Sequence, residues 1–258
     1  MARRATIIEG IRTGSDNPVL VLDAGSALYG RRLARETKGA IIIDAMNALG
    51  YDAMAVGPAD LYWGADVLLQ RASEADFPVL ACNIVSRDDG TLILPPYAIL
   101  EREGLVFGIV GVTEQEALSQ VRIGVEGIDI LDPVASVGKY LAEVESQSDV
   151  VILLSHLGLE QDLLVAQALP GIDIIVGGRS RILMGEPERA GDTAIVQAGY
   201  NGEWVGRLDV GFNQQGQLRG AESKFITLGP DVADDPEMKA LVEEYQRRYP
   251  EPTPTPLS

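Results

Sequence analysis

An α/β fold, with a sheet covered on both faces, is predicted by two features of this sequence. Short runs of Val, Ile and Leu recur along most of the chain, and segments with helical apolar spacing fall between them. Continuous apolar runs suit strands buried on both sides rather than strands with one wet face. The 258 residues, 46% hydrophobic and 23% charged, are enough for one large domain with a sizeable core, or for two small ones.

Taken in order, residues 19–22 read as a buried strand. Residues 39–49 have helical spacing, with Ile42, Ala45, Met46 and Leu49 on one face and a stop at Gly50. A strand is predicted over 53–56, a helix over 65–75 and a strand over 79–81 after Pro78. Strand 106–110 ends at Gly111, and helix 134–147 carries Val137, Tyr140, Leu141 and Val144. Strand 150–154, helix 160–169 and strand 172–176 continue the alternation. Beyond Thr193 the texture changes. Segments 194–197, 205–212 and 224–227 read as a β meander, with a turn at Gln214-Gln215-Gly216. Trp204 is placed within that meander. The acidic stretch 231–235 opens a polar helix over 236–249, where negative charge suits the helix dipole. The domain is read as 1–249, and 250–258 as an extended Pro/Thr linker or tail to which a further domain could be joined. No internal repeat is visible.

Composition excludes several classes of function. A net charge of −17 disfavours nucleic acid as a partner, because phosphate binding needs clustered Lys and Arg. No apolar run reaches a membrane span, and no apolar stretch with a small-residue cleavage site follows Met1, so no signal peptide is read. Localisation is left open. The lone cysteine, Cys82, sits in an apolar run and reads as a buried small hydrophobe. The lone histidine, His156, is the residue around which any imidazole-based metal site or Ser-His-Asp triad would have to be built. Gly177-Gly178 is too short for a nucleotide-binding loop and reads as a sharp strand-to-loop turn.

Several loops together resemble the 5′-nucleotidase-type metallophosphoesterases. Val19-Leu-Val-Leu-Asp-Ala-Gly25 is similar to the strand before their Gly-Asp motif. Ala45 to Gly57 is similar to the helix and strand leading to Gly-Asn-His-Glu, and Phe77-Pro-Val-Leu-Ala-Cys-Asn83 to the strand that follows. Leu154-Ser-His-Leu-Gly158 matches a Ser-His-x-Gly loop, and Gly171 to Gly178 the strand before Gly-Gly-His-Ser-His. The resemblance runs in family order from about Arg3 to about Thr227. It implies a four-layer α/β/β/α sandwich whose strand-end loops hold two divalent cations, which would activate a bridging hydroxide. The family's first strand, with its Asp-x-His motif, lies before the part matching Arg3, so the sandwich is expected to lack it.

The same resemblance places this chain's residues at the implied site. The bridging Asp is Ser26; the ligand Asn is Pro58; the neighbouring His is Ala59; the Glu is Asp60. His156 is kept, and the two histidines of the last motif are Arg179 and Arg181. A carboxylate and several imidazoles are needed to hold two cations together, and fixed guanidinium charges oppose them. The expected function is therefore a degenerate metallophosphoesterase-fold domain without its dinuclear site, a non-catalytic scaffold or interaction domain needing no cofactor.

Two alternatives stay open at this point. One is a phosphate- or nucleotide-type anion-binding module built from Arg179, Arg181, Ser26, Ser155 and His156, set against the simpler reading that the arginines pair with local acids such as Asp60 or Asp23 or point to solvent. The other is a residual phosphohydrolase with one metal on His156, Asp60 and Asp23. His156 otherwise reads as a structural hydrogen-bond donor between loops. Tyr29, Tyr62 and Trp63 are expected around the same strand ends, plugging the vacated cleft.

Overall fold

The computed structural model describes residues 1–121, 124–213 and 218–251. The elements are α1 (Ala2–Thr13), β1 (Leu22–Asp23), α2 (Arg32–Glu36), α3 (Ala40–Ala48), β2 (Ala53–Ala55), α4 (Ala65–Glu74), β3 (Val79–Leu80), β4 (Ile84–Ser86), β5 (Tyr97–Arg102), β6 (Leu105–Thr113), β7 (Ile128–Ile130), α5 (Pro133–Glu145), β8 (Val150–His156), α6 (Leu159–Ala168), β9 (Ile174–Gly177), β10 (Glu188–Ala190), β11 (Thr193–Val196), β12 (Trp204–Phe212), β13 (Leu218–Thr227) and α7 (Pro236–Arg248), with 3₁₀ turns at Pro58–Leu61 and Gln115–Gln120.

Alternation along β8 shows how the layers arise. Val150, Ile152 and Leu154 face Ala53, Ala55 and Leu80 across the gap between two sheets. Val151 and Leu153 face the other way, onto Val137, Leu141 and Val144 of α5 and Val165 of α6. A strand buried on both faces reads as an unbroken apolar run, which is why 150–154 was legible. The large sheet has the order β10-β11-β9-β8-β6-β5, and a smaller sheet β1-β2-β3 packs on its inner face. Outside the smaller sheet, α1, α3, α4 and α7 contribute Ile8, Ile43, Met46, Leu68 and Met238 to a further core. The result is the α/β/β/α sandwich.

Strand pairs β6/β8, β8/β9, β9/β11, β1/β2 and β2/β3 are all parallel. Their C-terminal ends therefore open on one edge of the sandwich, where loops from separate segments gather. The two sheets come close together at Gly111 of β6. A Cβ there would lie 2.3 Å from the Leu80 carbonyl oxygen and 2.5 Å from Leu80 Cβ. Gly111→Ala is accordingly expected to cost about 1–3 kcal/mol in a denaturant melt, because neither backbone can yield without separating the sheets. An unchanged midpoint would refute this packing.

Several expectations need correction. The first strand is Leu22–Asp23, half-buried, rather than a buried run over 19–22, because it stands at the edge of the three-stranded sheet. Residues 193–196 do not join a meander. They form β11, fully buried, parallel to β9 and antiparallel to β10, while β12 and β13 pair antiparallel with each other. Ile42 is only partly buried, while Ile41 and Ile43 are covered. Helix α1 and the short strands β4, β5, β7 and β10 had no counterpart in the sequence reading. The Gln214-Gln215-Gly216 turn and tail residues 252–258 lie outside the described residues. Cys82 is buried, and its thiol is pushed up to about 12 by burial. Asp235 caps α7 by accepting from Met238 N–H at 2.8 Å. Trp204 packs against Gly199 and Tyr200. Among the described residues no helix is long and apolar enough to cross a membrane.

Candidate functional site

Asp60 organises the strand-end loops. It is 1% exposed, in the 3₁₀ turn that Pro58 begins after β2. Its carboxylate accepts from three backbone N–H groups: Ser26 at 2.6 Å, Gly57 at 2.8 Å and Leu28 at 2.8 Å. One side chain thus fixes both the loop after β1 and the loop after β2. Burial pushes its pKa up to about 7, against the pull of those three donors.

His156 is the last residue of β8 and is 7% exposed. Its Nδ1 lies 2.8 Å from the Ala24 carbonyl oxygen, and its Nε2 lies 3.1 Å from Ser26 Oγ. A carbonyl oxygen can only accept, so Nδ1 carries the proton. Nε2 then presents a lone pair, and the Ser26 hydroxyl is the donor. Burial, with Arg179 nearby, holds the imidazole below its usual pKa, which favours this neutral form. The loops close tightly here: a Cβ on Gly57 would lie 2.3 Å from Ser26 Oγ and 2.9 Å from His156 Cδ2.

The two arginines part company. Arg179 forms an ion pair with Glu114, whose side chain is buried at the end of β6, and donates to the Leu157 carbonyl at 3.2 Å. Burial raises the Glu114 pKa, and Arg179 opposes that rise. Arg181 instead lies over the Tyr200 ring, 5.8 Å from its centroid. Ser155 points away from Ser26 and His156 and donates to Asp162. The structure therefore brings Ser26, Ala59, Asp60 and His156 together, with Arg179 beside them, and does not turn Arg181 or Ser155 onto the same point. Neither arginine pairs with Asp60 or Asp23. Asp60 is saturated by backbone donors, and Asp23 accepts from Gly25 N–H at 2.9 Å. Tyr29, Tyr62 and Trp63 pack tilted or edge-on against one another with centroids 4.3–5.5 Å apart, and Tyr62 is 49% exposed, so they form a rim cluster with one ring open to solvent.

Among the described residues, three of the six non-glycine residues with positive φ lie in these loops. Ser26, Arg179 and Arg181 have φ of 63°, 61° and 58°, a left-handed region costing roughly 1–2 kcal/mol for a residue with a Cβ. Sequence reasoning missed Glu114 and Asp162. Glu114 had a signal, an acid closing the apolar run of β6. Asp162 had a fainter one, an acid on the inward face of α6 with Val165 and Ala166. Asp162 is fully buried, and its pKa is pushed up to about 7 by that burial. Gln197 stands close enough to favour the anion, yet its amide and Asp162 Oδ2 do not meet as a full hydrogen bond.

No family model matches the chain. Individual relatives do. The chain is 29% identical to human 5′-nucleotidase over 272 aligned residues, covering 95% of this chain and 47% of that protein. It is 30% identical to the 5′-nucleotidase of Vibrio cholerae over 266, covering 88% and 47%. Among solved structures, a 5′-nucleotidase precursor from Thermus thermophilus superposes with a TM-score of 0.88 at 27% identity, covering 96% of this chain and 53% of that one. The chain spans about half the length of the curated relatives it matches. By sequence, then, the chain is similar to 5′-nucleotidases over about half of their length, and its fold is that of the 5′-nucleotidases and calcineurin-like metallophosphoesterases.

Proposed function

We propose that this chain is a metallophosphoesterase-fold domain that does not hold a dinuclear metal centre and serves as a non-catalytic scaffold or interaction domain. Residues 1–249 are read as that domain, with 250–258 as a linker. The observation that carries the reading is the engagement of the two side chains most able to bind metal. Both ring nitrogens of His156 are occupied by protein groups, and both oxygens of Asp60 accept backbone N–H bonds.

The rest of the donor set fits two divalent cations poorly. Pro58 and Ala59 offer no ligand atom, and Arg179 adds a fixed positive charge close to the imidazole. Among the described residues no group of three or more His, Cys, Asp or Glu is placed to hold one ion.

The test is elemental analysis of protein purified without chelators, followed by nucleoside monophosphate hydrolysis with added zinc, manganese or magnesium. The expected result is metal well below one equivalent and no metal-dependent turnover above the buffer rate. Near-stoichiometric metal with turnover would refute the proposal.

A further inference from the structure

The loop after β1 holds Ser26 in a particular way. Gly25 and Ser26 both have positive φ, 95° and 63°, so the chain turns sharply straight off a strand. Such a turn lifts a serine hydroxyl clear of its own strand, as in strand-turn nucleophile sites. Asp60 holds the turn from below through Ser26 N–H and Leu28 N–H. At the tip, Ser26 Oγ lies 3.1 Å from His156 Nε2, within reach for proton transfer. The Ala24 carbonyl fixes the tautomer in which Nε2 accepts. Ala59 N–H lies 3.3 Å from the same Oγ, a donor that would also stabilise an alkoxide. Ala27 N–H, next after the serine, has no partner among the described residues. Ser26 itself is only half-buried.

We propose that Ser26 is a nucleophile activated by His156, able to open small activated esters without any metal. The inference is independent of the loss of the dinuclear centre: it narrows the non-catalytic reading to metal-dependent phosphoester hydrolysis and adds metal-free acyl transfer at the same loops. Ser26 Oγ bonds to the ester carbonyl carbon while its proton passes to His156 Nε2, and the carbonyl π pair moves onto oxygen. When the tetrahedral adduct collapses, the bond to the leaving oxygen breaks, and that oxygen takes the proton from Nε2. Water then attacks the acyl-serine by the same route and releases a carboxylic acid and free Ser26. The orienting group for the imidazole is a carbonyl rather than a carboxylate, so the imidazolium formed in the step is less stabilised than in a triad with Asp. Turnover should be slow and labelling easier to detect than hydrolysis.

The experiment treats the full chain, in EDTA, with an alkyl fluorophosphonate and with p-nitrophenyl acetate. The fluorophosphonate forms an Oγ–P bond with loss of fluoride. Intact mass and peptide mapping should give one adduct, on Ser26. His156→Gln should slow labelling at least tenfold while circular dichroism and Tm stay close to those of the parent, and Ser26→Ala should abolish it. The parent's labelling rate should fall as pH drops and the imidazole protonates. Absence of an adduct on Ser26 in the parent overturns the proposal whether or not the variants fold. So does an adduct that forms equally fast in folded His156→Gln. A metal-dependent nucleotidase activity would show in the elemental and phosphate assays instead, so the two readings fail separately.

Discussion

Asp60→Ala is expected to lower stability by about 3–5 kcal/mol, because it strands three backbone N–H groups at the junction of two loops. Each donor has lost its water in folding, and the small cavity left by the carboxylate offers no replacement acceptor. Asp60→Asn keeps one acceptor oxygen and sets an NH₂ against at least one backbone donor, so its loss should be smaller, about 1–3 kcal/mol. Urea unfolding followed by tryptophan fluorescence reports both. If alanine and asparagine variants unfold at the parent's midpoint, Asp60 does not tie these loops. The variant should also release Ser26 from its left-handed conformation, since two of the three bonds hold the turn on which it sits.

A second large effect is expected from pH. Asp162 and Asp60 both have folded pKa values pushed up to about 7, from 3.8 in the absence of burial. A carboxyl whose folded pKa is raised binds its proton more tightly in the native state. Its stabilising contribution is complete below the unfolded pKa and disappears as pH climbs through the folded one. His156 acts in the opposite sense, because its depressed pKa favours the native state above the ordinary imidazole range. The Asp162 share is isolated by Asp162→Asn, which keeps an acceptor for the Ser155 hydroxyl and removes the ionisation. Relative to the parent, this variant should gain about 3–4 kcal/mol between pH 4 and pH 8, because the carboxyl moves from 3.8 to about 7 and each pKa unit is worth roughly 1.4 kcal/mol. Parallel stability–pH curves for parent and variant would show that Asp162 is not held protonated by its burial.

What could be read from the sequence followed burial. Strands β6, β8 and β9 and helices α3 to α6 are covered by at least one core, so their apolar spacing was visible. Helix α1 was missed because it buries little beyond Ala5 and Ile8. Strand β5 was missed because it is half-exposed at the sheet edge. At the site, Ser26, Asp60 and His156 were placed by resemblance, but their bonds were not. Pairing between charges depends on which acids remain unsatisfied after folding. Arg179 finds Glu114, not Asp60 or Asp23, because local backbone donors have already claimed the other two. Local sequence carries no information about that competition.

The contact between His156 and Ala24 joins groups 132 positions apart in the chain. It can close only once the helical crossovers have delivered β8 beside β6 and the smaller sheet has docked on top. Entropy of chain closure must be overcome before this bond returns anything, which places its formation late in assembly. The imidazole proton thus acts as a sentinel of complete assembly, shielded only in molecules in which the loop after β1 has met the end of β8.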